Sequence, residues 1–123
     1  SYNQSITSSF FDAYHTEADD ANQLRYLAGS RDQANQTALQ SLSVLSSGGS
    51  DECENGTLHL YEPSSSTFMK HFMSRFAGMI QGPYAGDQFG AGYVNTTTAL
   101  TRVKFALTSG NITSGTIKMY GIK

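Results

Sequence analysis

Short runs of alternating apolar and polar residues, each closed by Gly, Ser, Asn or Pro, most narrow what this chain can become. Residues 101–107 read Thr-Arg-Val-Lys-Phe-Ala-Leu, with Val103, Phe105 and Leu107 at every second position and Arg102 and Lys104 between them. Residues 116–122 repeat the pattern, with Ile117 and Met119 on one side and Lys118 and Tyr120 on the other. A period of two sends successive side chains to opposite faces of an extended strand. Both runs are therefore expected to be half-buried strands, the second tying the last residues into a sheet. Lys118 and Lys123 would blunt that strand if it lay at an edge. Ser109-Gly110-Asn111 and Ser114-Gly115 between the runs are turn material, because Gly and Asn accept positive φ cheaply.

The same period marks residues 6–13 and 23–28, where Leu24, Tyr26 and Ala28 share the expected inner side, and 57–61, where Leu58 and Leu60 do. Residues 31–56 are less regular. Leu39, Leu42 and Leu45 recur at every third position, which suits one turn-rich helix or an irregular strand. Residues 67–76 place Phe68, Phe72 and Phe76 at helical spacing, but the run is short and its neighbours are extended, so a strand is favoured. Glycines at 78, 82, 86, 90 and 92 mark residues 78–92 as a long loop or edge region, with a strand starting near Ala91. About six to eight short strands with turns between them predict an all-β chain, an antiparallel β-sandwich of jelly-roll type, as one domain over residues 1–123.

Composition supports this class and removes several functions. Only 15% of the 123 residues are charged, and Ser, Thr, Gly and Asn take their place. The net charge is −2 and no basic stripe is present, so nucleic acid is not an expected partner. No apolar run approaches the roughly 20 residues that span a bilayer, so membrane insertion is not expected either. Cys53 stands alone, which rules out a disulfide within the chain, and Asp51, Glu52 and Glu54 around it disfavour a thiolate nucleophile.

No catalytic constellation emerges, and no cofactor motif does. His15, His59 and His71 match no metal-ligand spacing and read as structural side chains. The acidic run at 51–54 lacks the alternate-residue spacing of a calcium loop and reads as solvated. Glu17, Glu62 and Asp87 would have to meet in space to act as a glycosidase pair, with nothing local to favour it. No Gly-x-Ser-x-Gly elbow or phosphate-cradling loop occurs. Five Asn-x-Ser/Thr sequons, at Asn3, Asn35, Asn55, Asn95 and Asn111, follow from the Ser/Thr content. Aromatic residues near loops, Tyr14, Tyr84, Phe89 and Tyr93, are the remaining candidates: packing residues first, and contacts for a partner or a sugar second.

Three stretches carry a family likeness. They are residues 58–72 (LHLYEPSSSTFMKHF), 92–105 (GYVNTTTALTRVKF) and 109–122 (SGNITSGTIKMYGI). Together they resemble a family of tailed-phage virion proteins frequent in marine and cyanobacterial phages, whose members commonly close on such an ending. Phe10-Phe11-Asp12-Ala13-Tyr14 and Leu24-Arg25-Tyr26 are similar to that family's opening strands, while residues 29–56 match it only in being loop-like. The resemblance implies a jelly-roll part of the virion surface, assembled in the host cytoplasm, with no catalytic, cofactor or metal residues to carry over. Its first expectation is a capsid decoration or cement protein, a homo-oligomer with a trimer favoured, clamping the major capsid protein or other virion proteins. A fibre-tip module gripping host-surface glycan is the second, with Tyr84, Asp87, Phe89, Tyr93 and Asn95 as contacts. A cellular carbohydrate-binding module or cupin-like enzyme is the third.

Overall fold

The computed structural model describes residues 2–29, 31–45, 48–80 and 82–122. Six strands form a single antiparallel sheet: β1 (Ile6–Thr16), β2 (Asn22–Tyr26), β3 (Gln33–Gln36), β4 (Cys53–Leu60), β5 (Lys70–Ile80) and β6 (Tyr84–Val94). Their order is β2-β1-β6-β5-β4. β6 pairs with β1 along its full length, while β2 and β3 share the other side of β1, at Phe11–His15 and Ile6–Ser8 respectively. The chain is all-β, and among the described residues no helix is long and apolar enough to cross a membrane.

Register divides the side chains into two faces. On one lie Phe10, Asp12, Gly90, Gln88, Phe72, Ser74, Leu58 and Leu60. This face is covered, but by loop rather than by a second sheet. Leu45, in the segment that precedes β4, is buried against Gly86, and the backbone N–H of Val44 donates to Gln88 Oε1 at 2.7 Å. Ser8 Oγ donates to Gln40 Oε1 at 2.6 Å, pinning the same segment over β1. The resulting core is small and mixed. Phe10, Leu45 and Phe72 are its buried apolar side chains, beside buried Asp12, Gln33, Lys70, Ser74 and Gln88. Most of their polar atoms are bonded, as buried groups generally are, but Gln33 Oε1 and Gln88 Nε2 are buried with no hydrogen-bond partner among the described residues. Lys70 Nζ donates to the carbonyls of Phe68 and Thr96 at 2.8 and 3.2 Å, stitching the loop before β5 to the segment after β6.

Several differences from the sequence reading have physical causes. Residues 78–92, expected to be a long loop or edge region because of their glycines, instead hold the end of β5 and most of β6, the central strand. Glycine here gives room rather than flexibility, a known use of Gly inside strands. A Cβ on Gly90 would lie 2.7 Å from Ser74 Oγ and 3.3 Å from Phe10 Cδ2, and one on Gly86 would lie 2.6 Å from Leu45 Cδ2. Leu24 and Tyr26 do not point inward; they are 72% and 58% exposed. Arg25 takes the covered side instead, because Asp12 opposite it on β1 accepts from its Nε and Nη2 at 3.0 and 2.7 Å. The described residues of 31–56 hold no helix but β3, a bent segment and the start of β4.

The expected sandwich needs a second sheet, and the described strands make one. Two of the runs expected to be strands, 101–107 and 116–122, form no strand and join no sheet among the described residues. Every residue from 101 to 122 is exposed, Met119 at 92% and Ile122 at 94%. Lys123 lies outside the described residues.

Candidate interaction surface

Among the described residues, no segment buries the second face of the sheet, where Phe11, Leu24, Tyr26 and Met73 are exposed. Strand alternation lines its side chains into rows across the strands. One row runs Tyr26, Phe11, Phe89, Arg75 and Thr57, from β2 through β1, β6 and β5 to β4. Phe11 and Phe89 stack with centroids 4.9 Å apart and planes 8° apart, and the Arg75 guanidinium lies 5.0 Å from the Phe89 centroid on the other side. Arg75 also donates through Nε and Nη2 to Asp87 at 3.0 and 2.7 Å. That carboxylate raises the guanidinium's pKa above its ordinary value, chiefly through the hydrogen bond, so the cation is permanent. Neighbouring rows add Met73 (57% exposed), Met79, Leu24, and the pairs His71–Tyr93 and His59–Tyr61. The sum is a broad, nearly flat surface of aromatic and thioether groups around one fixed guanidinium.

Of the sequence-predicted contacts, Asp87, Phe89 and Tyr93 share this face. The other two lie elsewhere. Tyr84 alternates onto the covered side at the far end of β6, half-buried and tilted against Tyr14 at 5.6 Å. Asn95 stands beyond the opposite end, where its Nδ2 donates to Asn35 Oδ1 at 3.0 Å and its N–H to the Ser5 carbonyl at 2.8 Å. Phe89 has Phe11 against one ring face and Arg75 against the other, which leaves no free face for a sugar ring. Phe11, Met73 and Arg75 are the members that sequence reasoning missed. The signal for Phe11 was present: it follows Thr7 and Ser9 and precedes Ala13 on the side of β1 opposite Phe10.

The acidic candidates do not converge. Glu17 bonds Pro83 at one end of the sheet, Glu62 follows β4 at the other, and Asp87 is held by Arg75 between them. In the 51–54 loop, Glu52 Oε2 accepts from the Gly49 N–H at 2.7 Å and Glu54 accepts from Ser43 Oγ. Among the described residues, no three His, Cys, Asp or Glu side chains stand close enough together to hold a metal ion. Two shallow surface hollows, of about 280 and 290 Å³, lie at the margins: one by His15, Met79 and Tyr84, the other by Gln4 and residues 98–102. Neither brings together an acid, a base and an anion-binding group. Comparison with family models, with curated protein sequences and with solved structures found no match.

Proposed function

We propose that this chain is a non-enzymatic part of a phage virion surface, a decoration or cement module whose open sheet face seats on the major capsid protein or another virion protein. One observation carries the assembly part of this reading, the inverted distribution of apolar side chains. Phe10, Leu45 and Phe72 are buried, while Phe11, Leu24, Tyr26, Met73, Val103, Phe105, Ile117, Met119, Tyr120 and Ile122 are all exposed. The open-face members Tyr26, Phe11 and Met73 lie side by side, with Phe89 of β6 between the last two, and exposed apolar patches of this kind mark protein contacts. Tyr, Phe, Met and Arg are the residue types enriched at the centres of such contacts, and they make up the open face here. The virion setting rests on the three stretches of family likeness. The jelly-roll belongs to the same reading: a second layer supplied by a neighbouring chain turns this open sheet into a sandwich.

The rival within the virion is a fibre-tip module binding host glycan. Tyr93, Asp87 and Phe89 do share a face, but Asp87 is already tied to Arg75 and both faces of Phe89 are occupied. A protein partner suits that surface better than a sugar.

Immunogold labelling of intact particles, with copy counting on quantitative gels, tests the proposal. Label spread over the head at high copy supports decoration. Label confined to the tail at low copy, with glycan binding lost in Tyr93→Ala, replaces it with the fibre-tip reading. Absence of label from every particle overturns both.

A further inference from the structure

We infer that residues 101–107 of one copy add as an antiparallel strand to the free outer edge of β4 in a second copy. This goes beyond the virion reading and stands whether or not the chain rides on a virion.

Four observations converge. First, the donor has strand chemistry without a sheet: Val103, Phe105 and Leu107 alternate with Arg102, Lys104 and Ala106, yet all are exposed. Second, an acceptor edge is open. β4 is 8 residues long, against 5 for β2 and 4 for β3, and no described strand pairs with its outer side. It carries no Pro or Lys, the residues that ordinarily blunt an edge. Third, the two sides fit. Placing Phe105 opposite Leu58 also places Val103 opposite Leu60, and Leu107 opposite Gly56, where the Phe76 ring from β5 lies over the glycine and offers an apolar contact. All three then join the covered face, and Lys104 and Arg102 fall opposite His59 and Tyr61 on the open one. Strand addition of this kind takes its affinity from main-chain hydrogen bonds and its register from alternate side chains.

Fourth, charge is split between donor and acceptor. Every Asp and Glu lies before residue 100, accompanied there only by Arg25, Arg31, Lys70 and Arg75, a formal −6. Arg102, Lys104, Lys118 and Lys123 give the remainder +4 with no acid. Asp51, Glu52 and Glu54 stand at one end of β4 and Glu62 at the other. A cationic strand entering that edge is steered to it.

The recipient is another copy because of how the segment departs. Leu100 N–H donates to the Pro63 carbonyl at 2.8 Å, beside the end of β4, but Arg102 then lies over the Tyr2 ring at 5.8 Å, on the β1 side. The chain turns away from its own β4. Extended at about 3.3 Å per residue, residues 101–107 reach up to roughly 23 Å from the Leu100 tether, so the acceptor edge must belong to a copy packed directly alongside. A closed ring or a reciprocal pair follows, depending on the rotation between copies.

The test uses full-length chains with Cys53→Ser, one carrying Lys104→Cys and the other His59→Cys, each with a different tag. Both substituted residues are exposed, and circular dichroism checks that the variants fold. The two are unfolded together, refolded and oxidised. The expected result is a disulfide joining the two tags, with its yield cut about tenfold or more when Phe105→Glu is added, since a buried carboxylate opposes the pairing. Sedimentation of the unmodified chain should give a multiple of 13.3 kDa. The inference is overturned if a single chain bearing both cysteines closes only on itself. It is equally overturned by assembly without any Lys104–His59 disulfide, or by a chain that sediments at 13.3 kDa.

Discussion

Residues 6–94 and residues 101–122 are written in the same alternating code and meet opposite fates. In the first region every strand finds a neighbour, and register sorts its side chains onto a covered and an open face. In the second, equally good strand sequence finds no partner and stays exposed. Strand propensity is thus a demand for an edge, and the described residues of this chain leave both strand sequence and the outer edge of β4 unpaired. The small core belongs to the same picture. A sheet with one loop-covered face and three buried apolar side chains has little stability to spare, and burying the exposed runs between chains is the available remedy.

The largest contrast should come from two phenylalanines. Phe10→Ala is expected to cost about 3–5 kcal/mol in chemical denaturation, because a fully buried ring leaves a cavity. Phe105→Ala should change the stability of the dissociated chain by no more than about 0.5 kcal/mol, and instead weaken assembly. Equal effects from the two would erase the distinction between sheet and arm. Gly90→Ala comes next, at about 1–3 kcal/mol, since its methyl would press on Ser74 and Phe10 in the central strand. A neutral result there would mean that glycine serves β6 for some reason other than close approach.

Two ion pairs sharpen the comparison between the faces. Arg25–Asp12 and Arg75–Asp87 have the same bidentate geometry, but the Asp12 side chain is 3% exposed and Asp87's is 33%. Arg25→Ala leaves a carboxylate in the covered face without its cation. The cost should be about 1–3 kcal/mol, below that of a fully buried pair because Arg25 is 38% exposed. Arg75→Ala, at the more exposed pair, should cost clearly less than Arg25→Ala by the same denaturation measurement. The smallest effect is at β2, where Tyr26 donates to Asp32 Oδ2 at 2.8 Å and its pKa is raised by that bond. Because the folded value exceeds the unfolded one, this contribution is complete below the ordinary tyrosine pKa of 10.0 and is lost as pH rises through the higher folded value. Stability of the native chain should therefore fall more steeply above pH 10 than that of Tyr26→Phe.

The all-β class was legible because alternation is local, as at Leu58 and Leu60 of β4. By contrast, β5 is readable as a strand only from its length and neighbours, since its Phe72 falls at helical spacing. β6 was hidden because its glycines answer to Leu45, Phe10 and Ser74, partners far away in sequence. The inward side of β2 was misread for a similar reason, since a buried Arg25–Asp12 pair outranked Leu24 and Tyr26. Three of the five proposed contacts fall on one face. Asp87, Phe89 and Tyr93 lie two residues or multiples of two apart on one strand, so they share a face. Tyr84 has the wrong parity to join them, and Asn95 lies past the strand's end. No local pattern shows that an edge beside β4 lacks a strand. That depends on topology, which only the assembled sheet reveals.

The most direct measurement is the thermal midpoint of the full chain across a wide range of protein concentrations, read by circular dichroism and paired with sedimentation. If the sheet depends on strands and faces supplied by other copies, the midpoint climbs with concentration as dissociation is suppressed. A midpoint that stays fixed while the chain sediments as a monomer would contradict the claim that this sheet is completed between chains.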